Sequence, residues 1–273
     1  APRYDRSAMR RVPFPPERRL VLDTLHLGRD KPMMHGLIEL DVTRARRRLR
    51  EHHERTGEKL SQTAFLLHAI GHTLARHPAV HARRDGLGRL VHFDTVDATV
   101  IVEVDHEGRP FPYAHVMRGL ERRTFRELND ELHHVKRHGL PTSSGATRAA
   151  TRAWLSMPAP LRRASYRALL ASPKLTQKHT GSLLVSAVRM VGDGPAFGLS
   201  APGLHELSIV LGGATKRAST DPDDPSPREV LCATVSANHA IVDGAPLARF
   251  VGELARCVGE AMGLDAIGPG VGT

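Results

Sequence analysis

The stretch VSANHAIVDGAPLARF, residues 235–250, brings together residue types that could move a proton. His239 comes at the end of an apolar run, and Asp243 and Gly244 follow it four and five positions later. Imidazole is the side chain best suited to proton transfer near neutral pH. An aspartate before a helix could cap that helix or pair with an arginine, and a glycine allows a tight turn. The pattern predicts a general base at the corner between a strand and a helix.

The remaining chain alternates between stretches typical of strands and stretches typical of helices. Alternating or continuous apolar runs predict strands, and apolar residues three and four positions apart predict helices. The predicted strands are 33–42, two within 89–105, 182–188, 206–214 and 228–238. The predicted helices are 43–57, one that begins after Ser61, 122–139, a shorter one within 157–175, and 243–263. This order predicts one α/β domain over 18–264, after an N-terminal arm (1–17) and before a flexible tail (265–273).

Composition limits the classes of function. The net charge of +10 arises mostly from arginine and favours anionic partners such as a phosphorylated cofactor, an acidic carrier protein or nucleic acid. Aromatic residues make up only 4%, so stacking platforms are scarce and we expect no nucleic-acid partner. No apolar run is long enough for a membrane span, and the basic, proline-rich start is unlike a secretory signal. Two cysteines form neither a disulfide framework nor a metal cage, so we expect a cytoplasmic protein without bound metal.

The segment NHAIVDGAPLARFVGEL (238–254) resembles the H-x-x-x-D-G motif of the chloramphenicol acetyltransferase-like superfamily. It is most similar to the catalytic domain of dihydrolipoamide acyltransferases, the E2 components of 2-oxo acid dehydrogenase complexes, where the motif reads roughly D-H-R-x-x-D-G-A-x-x-A-R-F. Further segments resemble this family in the same order along the chain: 18–43, 61–82, 181–197 and 206–217. The resemblance covers roughly residues 18 to 262 and implies a mixed sheet flanked by helices.

The resemblance also implies roles for individual residues. His239 matches the family histidine, the base that takes a proton from the attacking thiol. Ser186 matches the family serine, whose hydroxyl donates a hydrogen bond to the oxyanion of the tetrahedral intermediate. Asp243 matches an aspartate that holds local structure, usually through an arginine. Arg19 matches that arginine, and the adjacent Arg18 is an equal candidate.

Several departures from the family pattern bear on the acceptor. Asn238 and Ala240 replace the aspartate and arginine that flank the histidine, and Arg189 replaces a glycine, whereas Gly244 is retained. The connection at 140–179 is longer than usual, and its first part (140–154) is polar enough for a loop or mobile lid. The chain shows no lipoyl attachment segment, no peripheral-subunit-binding segment and no apolar C-terminal end. We therefore expect a free-standing acyltransferase with coenzyme A as a substrate and a small-molecule or carrier-bound acceptor.

The family also implies an assembly. Its members are trimers in which the histidine of one subunit faces the serine of its neighbour across a channel. Related enzymes that act as monomers carry two such halves in one chain, and this chain has the length of one half. We therefore expect a homo-oligomer, a trimer by resemblance.

Three other readings remain open at the level of sequence. The first is a non-catalytic scaffold or binding protein with a decayed site, which the changes around His239 allow. The second is an enzyme that makes an amide or ester from a carrier-bound acyl group, although such families usually have a second histidine where Asn238 stands. The third is a metal-dependent hydrolase, against which the histidine pairs 52–53 and 133–134 count, because adjacent residues on polar helix faces do not point the same way.

Overall fold

A computed structural model describes residues 13–15, 18–106, 109–138, 153–187, 194–219, 225–265 and 267. The helices are α1 (Arg18–Gly28), α2 (Thr43–Thr56), α3 (Gln62–Leu74), α4 (Phe125–His138), α5 (Ala159–Ala171), α6 (Pro173–Thr180) and α7 (Gly244–Gly259), with a 3₁₀ turn at Leu120–Arg122. The strands are β1 (Met33–Asp41), β2 (Ala82–Arg84), β3 (Leu90–His92), β4 (Ala98–His106), β5 (Arg109–Met117), β6 (Leu183–Ala187), β7 (Leu207–Arg217) and β8 (Arg228–Asn238). Among these residues, no helix has the length and apolar character needed to cross a bilayer.

Six strands form one mixed sheet in the order β1-β8-β7-β6-β4-β5, and β2 and β3 form a separate hairpin. β8 runs antiparallel to both β1 and β7, and β5 runs antiparallel to β4. β6 is parallel to its neighbours β4 and β7. The expected α/β fold with a mixed sheet is therefore confirmed.

The core lies on one face of this sheet. Alternate strand residues such as Val185, Ile209 and Val235 are fully buried there, as the two-residue period of a strand requires. α3 is buried along most of its length and packs against α4 and α7, and α7 also packs against β1. One continuous apolar cluster runs from Leu40 to Leu264, so the sheet and helices form a single domain.

Local signals in the sequence place several element ends correctly. Gly57 ends α2 in the left-handed conformation, and its N–H donates to the His53 carbonyl at 2.7 Å. Ser61 caps α3, since its hydroxyl accepts a hydrogen bond from the N–H of Ala64 at 3.4 Å. β8 begins and ends at the predicted residues, 228 and 238.

Strand β5 was not predicted. Its segment, RPFPYAHVM, contains two prolines, which are unfavourable inside a sheet because they lack a backbone N–H. β5 lies at the edge of the sheet and pairs only with β4, so one side of its backbone needs no partner. An edge position is where a sheet tolerates proline.

The connection before β6 contains two helices, α5 and α6, where one short helix was predicted. Gly181 joins α6 to β6 with φ of 66°, and a Cβ there would lie 2.6 Å from the Asp97 carbonyl oxygen. A glycine is therefore required at this junction. The predicted lid falls mostly outside the described residues, as do most of the predicted arm and tail.

Candidate active site

His239 lies in the turn between β8 and α7, and hydrogen bonds hold its backbone on both sides. Its N–H donates to the Pro32 carbonyl at 2.8 Å, and the preceding N–H, of Asn238, donates to the Glu206 carbonyl at 2.9 Å. The His239 side chain is 55% exposed. The fold thus presents an accessible imidazole on a fixed backbone.

A buried polar network is connected to this turn through Asn238. Asn238 is 8% exposed, its side-chain amide donates to Glu206 Oε2 at 2.8 Å, and its Oδ1 accepts from the Ala240 N–H at 3.0 Å. The other oxygen of Glu206, Oε1, lies 3.1 Å from Lys31 Nζ and 3.4 Å from an Arg83 guanidinium nitrogen. One carboxylate therefore connects the residue before His239 to two cations.

Desolvation is the largest influence on both cations of this network. Burial lowers the pKa of Lys31 from its ordinary value, and the Glu206 carboxylate opposes that effect. Burial likewise lowers the pKa of Arg83, again opposed by Glu206. Lys31 also donates to the carbonyls of Leu204 and His205, at 3.1 and 3.0 Å. Arg83 donates to the Leu204 carbonyl at 3.0 Å, but its Nε is buried without a hydrogen-bond partner among the described residues. Most polar atoms of the network are therefore paired, and one donor is not.

Asp243 and Gly244 stand at the start of α7. Asp243 occupies the N-cap position, but within the described residues its carboxylate makes neither a capping hydrogen bond nor a pair with an arginine. Its Oδ1 lies 3.7 Å from Nδ1 of His239, and the side chain is 85% exposed. A Cβ on Gly244 would meet no atom within 4 Å, so the turn inside one chain does not itself require a glycine.

Arg19 lies on the exposed side of α1. One of its guanidinium nitrogens donates to the Leu155 carbonyl at 3.0 Å. Within the part of the chain that the structure describes, no hydrogen bond or ion pair joins Arg19 to Asp243. Its observed contact joins α1 to the helical turn at 153–156.

Ser186 lies in β6 on the face of the sheet opposite the core. It pairs with Ile101 of β4 and Val210 of β7, whereas its neighbour Val185 points into the core. The Ser186 side chain is half-buried. Its hydroxyl makes no hydrogen bond to another described residue, so its proton is available to a ligand.

The register of the sheet separates Ser186 from His239 of the same chain. Ser186 pairs with Val210, and Val210 pairs with Thr234 of β8. His239 comes five residues after Thr234 and two strands away from Ser186. With about 3.3 Å per residue along a strand and about 4.8 Å between strands, the separation is roughly 15–20 Å. The two side chains do not meet within one chain.

Sequence reasoning missed several polar residues near this site. Glu206, Lys31 and Arg83 are distant in sequence from the motif, and no local pattern indicates that they meet. His35 is a second case, since its Nδ1 lies 2.8 Å from the Ser236 hydroxyl on the same sheet face as Ser186. The alternation of Met33, His35 and Leu37 in the sequence was the one available signal for that orientation.

The histidines considered for a metal site have other surroundings. His52 is 2% exposed and its Nε2 lies 2.9 Å from Glu58 Oε2, so the prediction that it lies on a polar helix face is wrong. Within the described ranges, no group of three or more histidine, cysteine, aspartate or glutamate side chains is arranged to hold a metal ion. Both cysteines, Cys232 and Cys257, are free and buried.

No protein-family model and no curated protein matches this sequence. Solved structures do match its fold. The cubic core of the pyruvate dehydrogenase multienzyme complex superposes with a TM-score of 0.69 at 16% identity, over 97% of this chain and 98% of that one. A dihydrolipoamide acetyltransferase of Azotobacter vinelandii, studied for the roles of a serine, a histidine and an asparagine in its catalytic mechanism, gives the same TM-score, identity and coverage. Chloramphenicol acetyltransferase superposes with a TM-score of 0.50 at 15% identity, over 90% of this chain and 96% of that one.

At sequence identities this low, the matches establish a common fold. The chemistry must be inferred from the residues of the site. The likeness extends over nearly the whole of each chain, so no major part of the described architecture lies outside it. The chain therefore has the fold of the acyltransferase catalytic cores of 2-oxo acid dehydrogenase complexes and of chloramphenicol acetyltransferase.

Proposed function

We propose that this protein is an acyltransferase that moves an acyl group between coenzyme A and a thiol or other small acceptor, without an acyl-enzyme intermediate. The observation that carries the proposal is the exposed imidazole of His239, fixed after β8 in a chain with the acyltransferase fold. His239 acts as the general base and Ser186 of a second copy as the oxyanion donor. Asp243 lies beside the imidazole and helps to orient it.

The chemistry of a thiol acceptor suits a neutral imidazole. A thiol with a pKa near 8.5 is mostly protonated at pH 7, so it needs a base before it attacks a thioester. Nδ1 of His239 faces Asp243, which leaves Nε2 to accept the thiol proton as sulfur bonds to the carbonyl carbon. When the tetrahedral intermediate collapses, the carbon–sulfur bond to coenzyme A breaks and the imidazolium returns the proton to the departing thiolate.

The negative charge that develops on the carbonyl oxygen needs a donor. The Ser186 hydroxyl has no partner among the described residues and can therefore point at an incoming ligand. One preorganised donor of this kind contributes about 3 kcal/mol to transition-state stabilisation. Since Ser186 and His239 of one chain lie too far apart, the site requires two copies of the chain, and a trimer with three shared sites is the arrangement we propose.

Two features of the matched structures support this assignment. The serine, histidine and asparagine studied in the Azotobacter enzyme follow one another in the order of Ser186, His239 and Asp243, with nearly the same spacing. The pyruvate dehydrogenase match is a multi-copy core, which supports a site completed by a neighbouring copy.

The proposal is tested by mixing the protein with acetyl-coenzyme A and a panel of thiols and amines, and by following the release of free coenzyme A. We expect turnover with at least one acceptor and its loss in His239→Ala. His53→Ala is a matched control, because His53 is also exposed and lies on α2. Turnover that survives in His239→Ala excludes this base, and no turnover with any acceptor favours the non-catalytic alternative.

A further inference from the structure

A pocket of about 420 Å³ opens between the end of α1, the β2–β3 hairpin and α5. Basic side chains dominate its charged lining: His26 from α1, Arg29 just after α1, Arg84 from β2 and Arg167 from α5. None of these residues belongs to the acyl-transfer site proposed above.

The acidic groups of this pocket are already paired. Asp30 lies 3.3 Å from the Arg29 guanidinium. Asp85 accepts a hydrogen bond from Arg89 Nε at 2.8 Å and two more from backbone N–H groups of its own hairpin. Arg89 and these N–H groups hold the pKa of the Asp85 carboxyl below its usual range. The carboxylates therefore do not neutralise the other arginines.

Arg84 of β2 and Arg167 of α5 line the same cavity. Within the described ranges, neither guanidinium makes a hydrogen bond or an ion pair. His26 also lacks a hydrogen-bond partner there, and its pKa is lowered, first by burial and then by the charges of Arg163, Arg29 and Arg167. The cavity thus holds excess positive charge and several unused N–H donors.

The walls that carry these donors are fixed to one another. Asp23 of α1 is 1% exposed, and its carboxylate accepts from Arg162 Nε at 2.7 Å and Arg163 Nε at 3.2 Å, both on α5. At the other side, the N–H of Gly86 in the hairpin donates to the Ala171 carbonyl at the end of α5, at 3.1 Å. These contacts hold α1, the hairpin and α5 together, so the elements that carry the arginines keep one arrangement, as a binding site requires.

We propose that this pocket binds the phosphate group of a small molecule. Guanidinium groups offer planar pairs of N–H donors that match phosphate oxygens, and two unpaired ones around a concave site suit a doubly charged anion. The binding of a dianion relieves the repulsion among the arginines and gives the His26 ring a hydrogen-bond partner.

A short segment of chain connects the pocket to the candidate active site. Asp30, in its lining, is two residues from Pro32, whose carbonyl accepts the backbone N–H of His239. The phosphate could therefore belong to coenzyme A or to a phosphorylated acceptor. The proposal goes beyond acyl transfer and does not depend on it, because phosphate binding requires neither His239 nor turnover.

Isothermal titration calorimetry of the full chain at low ionic strength tests the proposal, with coenzyme A, dephospho-coenzyme A (which lacks the ribose phosphate) and inorganic phosphate as probes. We expect Arg84→Ala and Arg167→Ala each to weaken binding of at least one probe by about tenfold, the usual effect of losing a charge-assisted hydrogen bond. Arg47→Ala is the matched control, since Arg47 is an exposed helical arginine of α2 whose loss changes the net charge equally. Circular dichroism checks that each variant is folded.

The titration results distinguish between the possible sources of the phosphate group. If the arginine variants affect coenzyme A but not dephospho-coenzyme A, the ligand is the ribose phosphate of coenzyme A. If they affect only inorganic phosphate, the ligand is a different phosphorylated molecule. The proposal is overturned if no probe binds, or if Arg47→Ala weakens binding as much as the pocket variants do. Inorganic phosphate does not need the acyl-transfer site, so His239→Ala should bind it like the natural chain. A failure of the acyl-transfer proposal therefore remains distinguishable from a failure of this one.

Discussion

A site shared between copies makes a quantitative prediction for mixed oligomers. We expect Ser186→Ala to reduce turnover about 10²-fold, the usual effect of losing an oxyanion donor. His239→Ala should lower it by roughly 10²–10⁴-fold, the contribution of a general base. Oligomers assembled from equal amounts of the two variants should nevertheless recover activity. In a ring where each site takes its base from one copy and its donor from the next, about a quarter of the sites contain both natural residues.

The assay is coexpression of the two variants, followed by measurement of coenzyme A release per oligomer. A mixture of the natural chain with the double variant Ser186→Ala/His239→Ala calibrates it, because about a quarter of its sites are also intact by the same statistics. The register of β6, β7 and β8 underlies the expectation, since it separates Ser186 and His239 within one chain. If the calibration mixture keeps its activity while the mixture of single variants stays inactive, both residues act from the same chain and the shared site is wrong.

Three further changes probe the candidate site, the arginine-lined pocket and a buried histidine, His81, whose Nε2 lies 2.6 Å from the Ser182 hydroxyl. Asn238→Asp places a second carboxylate against Glu206 Oε2, 2.8 Å from the present amide, and raises the pKa of one of the two acids. Its free energy of unfolding, from urea titration, should match the natural chain near pH 4 and fall below it increasingly towards pH 7. Asp23→Asn leaves Arg162 buried without its counter-ion and should lower the free energy of unfolding by about 3 kcal/mol, whereas an unchanged urea midpoint would show that the pair is not needed. Burial lowers the pKa of His81 to about 4, so this histidine stays neutral in the folded chain while the unfolded chain gains a proton near pH 6.5. Stability should therefore decline as pH falls from 6.5 to 4, by about 3 kcal/mol more than in His81→Gln, and equal declines would contradict the assignment.

The sequence predicts the fold well where periodicity and caps are local. The strand at 228–238 has its observed bounds, and Gly57 and Ser61 end and begin the helices that they were expected to end and begin. The sequence does not predict β5, whose prolines are unfavourable inside a sheet and are acceptable only because β5 lies at its edge. Edge and centre are properties of the tertiary fold, so no window of sequence distinguishes them.

Some residues of the candidate site can likewise be predicted from local sequence, and others cannot. His239 and Asp243 are four residues apart, and the sequence motif identifies both. Glu206 and Lys31 reach the same corner from the start of β7 and from the loop before β1, and only the sheet topology places them together. Ser186 required the family resemblance, because one serine in an apolar strand carries no chemical signal of its own.

The asparagine before His239 shows how the structure changes the meaning of a departure from the motif. In sequence, Asn238 in place of aspartate counts towards a decayed site. In the structure, its amide donates to the Glu206 carboxylate, which two cations already hold, while its carbonyl oxygen accepts from the N–H of Ala240. An ionised aspartate at this position has no proton to donate to Glu206, so the amide is the group that satisfies both contacts at neutral pH. The departure from the motif at Asn238 therefore has a structural reason that does not require the loss of the base, and it does not count against the role that we propose for His239.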